Sequence, residues 1–149
     1  MTIRISTDAK FKRLKKKFAT APEAEMAAFL DAVGDTVANG AKRRIMEAKT
    51  APGGKKWDPW SKRYAKTRHG GHSLLRDTGA LVDSITHEVS TMERSVVVGS
   101  NLVYAATHQF GDPDRKIPAR PYLDAELEDP WERREVRSLS VAFVKGLFK

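Results

Sequence analysis

The sequence predicts an α+β protein, with long helices packed on a small antiparallel β-sheet. Three observations carry that reading. Met26, Phe29, Leu30, Val33, Val37, Ala41 and Ile45 recur at helical spacing over five turns. Ile85, His87 and Val89 alternate with polar residues, and Val96 to Gly99 follow after a short break, which is the pattern of a hairpin. Val136, Leu139, Phe143 and Leu147 then form one apolar stripe near the end of the chain.

Taken in order, Thr2 to Ser6 alternate as one short strand would. Asp8 is placed to cap a basic helix with Phe11, Leu14 and Phe18 on one face. Pro22 suits the first turn of the long second helix, where Glu23 and Glu25 favour the positive end of its dipole. Gly34 and Gly40 weaken that helix but allow close packing, expected to be against the sheet. Thr50 to Gly54 breaks the chain. Asp77 or Thr78 can cap a short turn before the hairpin. Leu102 to Phe110 reads as a short helix and Trp131 to Phe148 as a terminal one, with Asp129 as its cap and Pro130 in its first position. The predicted order is β-α-α-loop-β-β-α-α, in one domain over residues 1–149 with a basic N-terminal segment, 1–20.

Composition narrows the function classes. The chain has 149 residues, 40% hydrophobic and 31% charged, as a folded rather than a disordered protein has. It lacks a run long enough to span a membrane, and its first residues lack the apolar core of a signal peptide. Without cysteine it offers no thiolate for metal or nucleophilic chemistry. The four histidines do not form a ligand spacing, and no Gly-rich phosphate loop or nucleophile elbow occurs. No enzyme, cofactor or metal is therefore expected.

The net charge of +8 is unevenly spread. Lys10, Lys12, Arg13, Lys15, Lys16 and Lys17 place six cations in eight residues, and a second basic region spans Lys42 to Arg68, where Lys55 and Lys56 stand beside Trp57, Trp60 and Tyr64. Such cations form either a solvated face or a face for nucleic acid or an acidic partner. Aromatics interleaved with cations can stack bases, or they can cover the edge of a small core. A DNA-binding module built from these two segments is the alternative function.

The stretch from Tyr104 to Leu123 stands apart. Pro118 and Pro121 hold Ala119 and Arg120 near extended geometry, because a proline fixes its own φ and restricts the residue before it. A cation on a stiff arm suits docking, with Tyr104, His108, Phe110, Arg120 and Tyr122 as candidate interface residues. Losing Arg120 or Tyr122 is then expected to harm assembly and spare the fold. The open alternative is an internal lock, in which the arm holds the terminal helix.

Leu75-Arg-Asp-Thr-Gly-Ala-Leu with Ser84, Val98-Gly-Ser-Asn, Tyr104-Ala, His108-Gln-Phe-Gly and Ile117-Pro-Ala-Arg-Pro-Tyr-Leu, preceded by Gly54, Trp57 and Pro59, resemble the phage virion morphogenesis family, the Mu-like tail completion group. The resemblance covers roughly residues 22–145, departing at 61–73, in the basic N-terminal helix and at Tyr122, where the family often has Phe. It implies a structural, non-enzymatic virion protein at the tail or neck, made in the host cytoplasm. The implied form is a ring of identical subunits, commonly a hexamer. Neck, connector and tail tube proteins are its implied neighbours, with transient contact to genomic DNA and no membrane.

Overall fold

The computed structural model of the chain describes residues 9–124 and 126–148, with side chains from Lys12 onward. The strand expected at 2–6, the cap at Asp8 and the side chains of Lys10 and Phe11 lie outside the described residues. The architecture is α+β. Its elements are α1 (Ala9–Ala19), α2 (Glu23–Arg43), α3 (Lys62–Ala65), α4 (Ala80–Ser84), β1 (Ile85–Ser90), β2 (Ser95–Ser100), α5 (Ala105–Phe110) and α6 (Pro130–Leu147). The two strands pair antiparallel from Ile85↔Ser100 to Ser90↔Ser95.

The periodic stretch sits at the centre as α2, with the hairpin on one side and the antiparallel α6 on the other. Its apolar stripe serves both neighbours. Ala38, Ala41 and Ile45 meet Leu81, Ile85, Trp57 and Tyr122 in one buried cluster. Met26 and Leu30 join Ala21 and Leu147 in another, where Phe29 stacks on Phe143 at 4.6 Å. Gly34 lies against His87 and Val96 of the hairpin, as expected of a glycine facing the sheet. Gly40 does not face the sheet. It faces α6, and a Cβ there would overlap the Glu132 side chain.

Past Arg43 the helix widens into a five-residue π-helical turn, Arg44–Ala48, which the periodicity did not foretell. The turn buries both Arg44 and Ile45 and ends at Lys49, whose φ of 55° stops the helix. At the other end of the fold α6 begins as its sequence predicts. The Asp129 carboxylate accepts from the N–H groups of Trp131, at 2.8 Å, and Glu132, at 3.3 Å. These two helix ends meet. The Arg44 guanidinium, 1% exposed, faces Glu132, Asp129 at 3.2 Å and Asp124 at 3.6 Å, and donates to the Tyr122 carbonyl at 2.9 Å.

The cluster is short of positive charge, since Arg43 and Arg44 face three carboxylates. Burial is the main cause that pushes the Glu132 carboxyl up to about 7, with Arg44 opposing and Asp124 and Asp129 adding to the rise. Burial also works against Asp129, but its helix-capping bonds and the two arginines hold it below its ordinary value.

The junction makes two predictions. Gly40→Ala forces Glu132 away from Arg44 and is expected to cost ~2 kcal/mol or more, as overpacking does, read as a lowered midpoint in chemical unfolding. The second concerns pH. A carboxyl that binds its proton more tightly when folded loses stability as pH rises from the unfolded 4.5 through about 7. That loss is on the order of 3 kcal/mol for a shift of this size. Asp129 acts only at lower pH, its contribution being present above 3.8 and lost as pH falls through its depressed value. His108, discussed below, acts in the opposite sense, so the test is a difference. Glu132→Gln should flatten the decline that the unaltered chain shows across this window, and parallel curves would refute the assignment.

Candidate functional site

The arm between α5 and α6 is built by side chains that replace the hydrogen bonds its prolines cannot make. Gly111, at φ 80°, turns the chain after α5, and a Cβ there would lie 2.8 Å from the Ala119 nitrogen. Residues 112–117 then form a tight loop closed by two 2.8 Å bonds between Asp112 and Ile117. Arg115 clips that loop to Asp112 and to Thr107, at 3.1 Å. Beyond it, the Gln109 carboxamide accepts from the N–H groups of Tyr122 and Leu123, both at 3.0 Å, and donates to the Leu123 carbonyl. The Trp57 indole N–H reaches the Pro121 carbonyl at 3.0 Å, and Arg44 takes the Tyr122 carbonyl.

Arg120 does not stand out toward a neighbour. It is 6% exposed, and its guanidinium forks onto the Asp58 carbonyl, at 3.0 and 2.9 Å, and the Pro59 carbonyl, at 3.2 Å. Tyr122 is 1% exposed, and its hydroxyl donates to the Ala105 carbonyl at 3.4 Å. Both side chains therefore bind the arm inward, against the expectation that they anchor a partner and are dispensable for folding. Pro118 and Pro121 set the extended backbone, while the inward acceptors are the Asp58 and Pro59 carbonyls for Arg120 and the Ala105 carbonyl for Tyr122. The lock holds the tryptophan segment to the arm rather than the arm to α6.

The rest of the interface set divides. Tyr104 and Phe110 are exposed, with Phe110 at 78% and the adjacent Val103 at 97%. His108 is half-buried against the Tyr104 ring, and its Nδ1 is buried without a hydrogen-bond partner among the described residues. Burial, then the charge of Arg120, hold its pKa below the usual histidine value. Gln109 is not among the expected site residues, although it stands inside the His108-Gln-Phe-Gly motif that carries the family resemblance.

The arm, the segment around Trp60 and the turn before α4 enclose a cleft of about 1010 Å³. Lys49 fixes one wall, because its ammonium donates to Ser73 at 2.8 Å and to the Leu74 carbonyl at 3.1 Å. Burial chiefly, then Arg76, lower the Lys49 pKa. Leu75, Leu81, Ile117 and Pro118 give the cleft apolar surface, and Trp60, Tyr64 and Tyr104 add aromatic rings. Of its charged lining residues, five are cations, Arg68, Arg76, Arg115, Lys116 and Arg120, against the single carboxylate Asp77.

The two basic segments do not combine into one surface. Lys12, Arg13, Lys15 and Lys16 are exposed on α1, which lies by the C-terminal end of α6, where Arg13 and Lys17 pack over the Phe148 ring. Lys17 also donates to the Leu147 carbonyl at 2.6 Å. Lys55 and Lys56 are exposed at the far end of α2, and Trp57 between the basic stretch and the arm is a core residue. Among the described residues no helix is long and apolar enough to cross a membrane.

Residues 7–140 match the model of the phage virion morphogenesis family. An uncharacterized protein of Methanocaldococcus jannaschii is 29% identical over 122 residues, spanning 78% of this chain and 82% of that protein. The Mu-like prophage FluMu G protein 2 of Haemophilus influenzae is 44% identical over 75 residues, spanning 47% of this chain and half of that protein's length. No solved structure matches.

Replacing Arg120 tests the lock. Arg120→Ala removes the donor fork from the Asp58 and Pro59 carbonyls and should destabilise the folded chain by ~1–2 kcal/mol, with Arg120→Lys recovering little because an ammonium cannot reproduce the fork. An unfolding midpoint unchanged in Arg120→Ala would show that the lock carries no stability.

Proposed function

Since this chain belongs to the phage virion morphogenesis family, we propose that it completes the tail or joins tail to head at the neck, as a ring of identical subunits. Its role is structural, in building the phage virion, and the proposal includes no catalytic step. Hexameric symmetry is the expected form, with neck, connector and tail tube proteins as neighbours. One observation carries the reading. The stretch from Val103 to Phe110 carries exposed apolar side chains on its outside, while its inside is tied down by Gln109, by the Arg120 backbone N–H on the His108 carbonyl and by the Tyr122 hydroxyl on the Ala105 carbonyl. Rigid, exposed apolar surface suits a lasting protein contact, because little conformational freedom is lost when it docks.

Contact with the genome, if the ring encircles its path, falls to the exposed cations of α1, and Lys55 and Lys56 would meet a different neighbour. The decisive experiment is deletion of the gene from its phage. Separate heads and tails, or tails with faulty ends, are expected; normal infectious particles would overturn the proposal. A point variant gives the residue-level test. Phe110→Glu should leave thermal unfolding nearly unchanged, as surface substitutions do, yet weaken assembly by ~1–2 kcal/mol, as loss of an interface anchor does. Incorporation of that variant into virions at the normal level would remove Phe110 from the interface.

A further inference from the structure

The cleft has the chemistry of a receptor for an apolar side chain flanked by a carboxylate. Its aliphatic and aromatic surface comes from Leu75, Leu81, Ile117 and Tyr104, among others. Its rim carries Arg76 and Lys116, neither of which has a carboxylate partner among the described residues. A nucleic-acid strand would ask for cations along its whole track, whereas here they border an apolar floor.

The chain itself displays such a group at the turn of the hairpin. Met92 is 95% exposed, and exposed Glu93 beside it has no cationic partner among the described residues. The turn is held firmly. Thr91 donates to the Glu23 carboxylate at 2.8 Å, the Ser90 hydroxyl accepts from the Glu93 N–H at 3.2 Å, and Arg94 donates to the carbonyls of Phe18 and Ala21. An unbranched thioether on a fixed turn fits an irregular aromatic-lined hollow, since methionine adapts its shape and sulfur packs well on rings.

Turn and cleft lie at opposite ends of the molecule. Thr91 meets the first residue of α2, while the cleft wall is pinned by Lys49 beyond the π-helical turn that follows the last, so the roughly 31 Å of α2 lies between them. The group therefore cannot enter its own cleft. We infer that the Met92–Glu93 turn of one subunit docks in the cleft of a second copy, with Met92 on the apolar floor and Glu93 at Arg76 and Lys116. This rests on the self-assembly reading above and names the two different patches that a head-to-tail contact requires.

The chain has no cysteine, which makes the test direct. Single-cysteine variants Met92→Cys and Ala80→Cys, the latter in an exposed cleft residue, should form a mixed disulfide in greater yield than either forms alone. Met92→Asp should weaken self-association, measured by sedimentation, more than roughly tenfold without shifting thermal unfolding. Glu93→Arg should weaken it too, and adding Arg76→Glu should restore part of the loss. A wild-type chain that remains monomeric, mixed cross-linking no better than unmixed, or Met92→Asp that associates normally would each overturn the inference. So would single-stranded oligothymidylate that shields the thiol of the Ala80→Cys variant from alkylation equally well with Met92 intact or replaced. None of these outcomes bears on the gene-deletion phenotype, so the wider functional proposal stands or falls separately.

Discussion

The structure depends on one buried guanidinium. Arg44 reaches the last turn of the central helix, the first turn of the terminal helix and the backbone of the proline arm at once. A buried ionic cluster is weak evidence of net stability, because desolvating its charges offsets most of their attraction. Its value is geometric. Three carboxylates and a carbonyl converge on a planar donor fork, and few other arrangements of these elements would satisfy them. The π-helical turn belongs to the same constraint, since it buries both Arg44 and Ile45 at the end of the central helix. Gly40 completes it by letting Glu132 come in against the helix backbone.

From that junction the arm inherits its position. Arg44 takes the carbonyl of Tyr122, Trp57 that of Pro121, and Gln109 the N–H groups of Tyr122 and Leu123. Arg120 then draws the 58–59 backbone onto the arm, and this in turn places Trp60 and Tyr64 at the cleft. The order of dependence runs from a buried charge, through side-chain bonds to a proline-rich backbone, to the shape of an exposed hollow. Surface residues such as Phe110 and Val103 contribute little to this chain of support, which leaves them available for contact.

Periodic elements were legible in the sequence because burial of one face writes itself into spacing. The α2 and α6 stripes, the Asp129–Pro130 start and the 85–100 hairpin all match on that account. Motifs were legible too, since the ordered segments from Leu75 to Leu123 fall within residues matched by the family. Direction was not. Whether Arg120 points out or in depends on unpaired carbonyls about sixty residues away, and spacing holds no record of them. Arg44 hid for a related reason. It reads as one more cation at a helix C-terminus, and only tertiary contact with 124–132 reveals a charge cluster. The tryptophan segment was ambiguous by composition, because Trp57 among lysines could stack bases or cover the edge of the core, and its ring completes the core.

These two kinds of information bear differently on assembly. A heterologous contact repeated from subunit to subunit closes into a ring only at one particular rotation and otherwise runs on as a filament. Small errors accumulate around the circle, so the relative placement of the two patches must be held by stiff parts. Here the proposed patches sit at the two ends of α2, one braced by Arg94 on α1's last turn and the following loop, the other by Lys49, Arg44 and Arg120. The inward turn of Arg120 is then no loss to an assembly role. An arginine spent on an interface could anchor a neighbour, but an arginine spent on the arm fixes the shape that the arm presents. In the proposed ring, the second use would govern whether the first kind of contact can form at all.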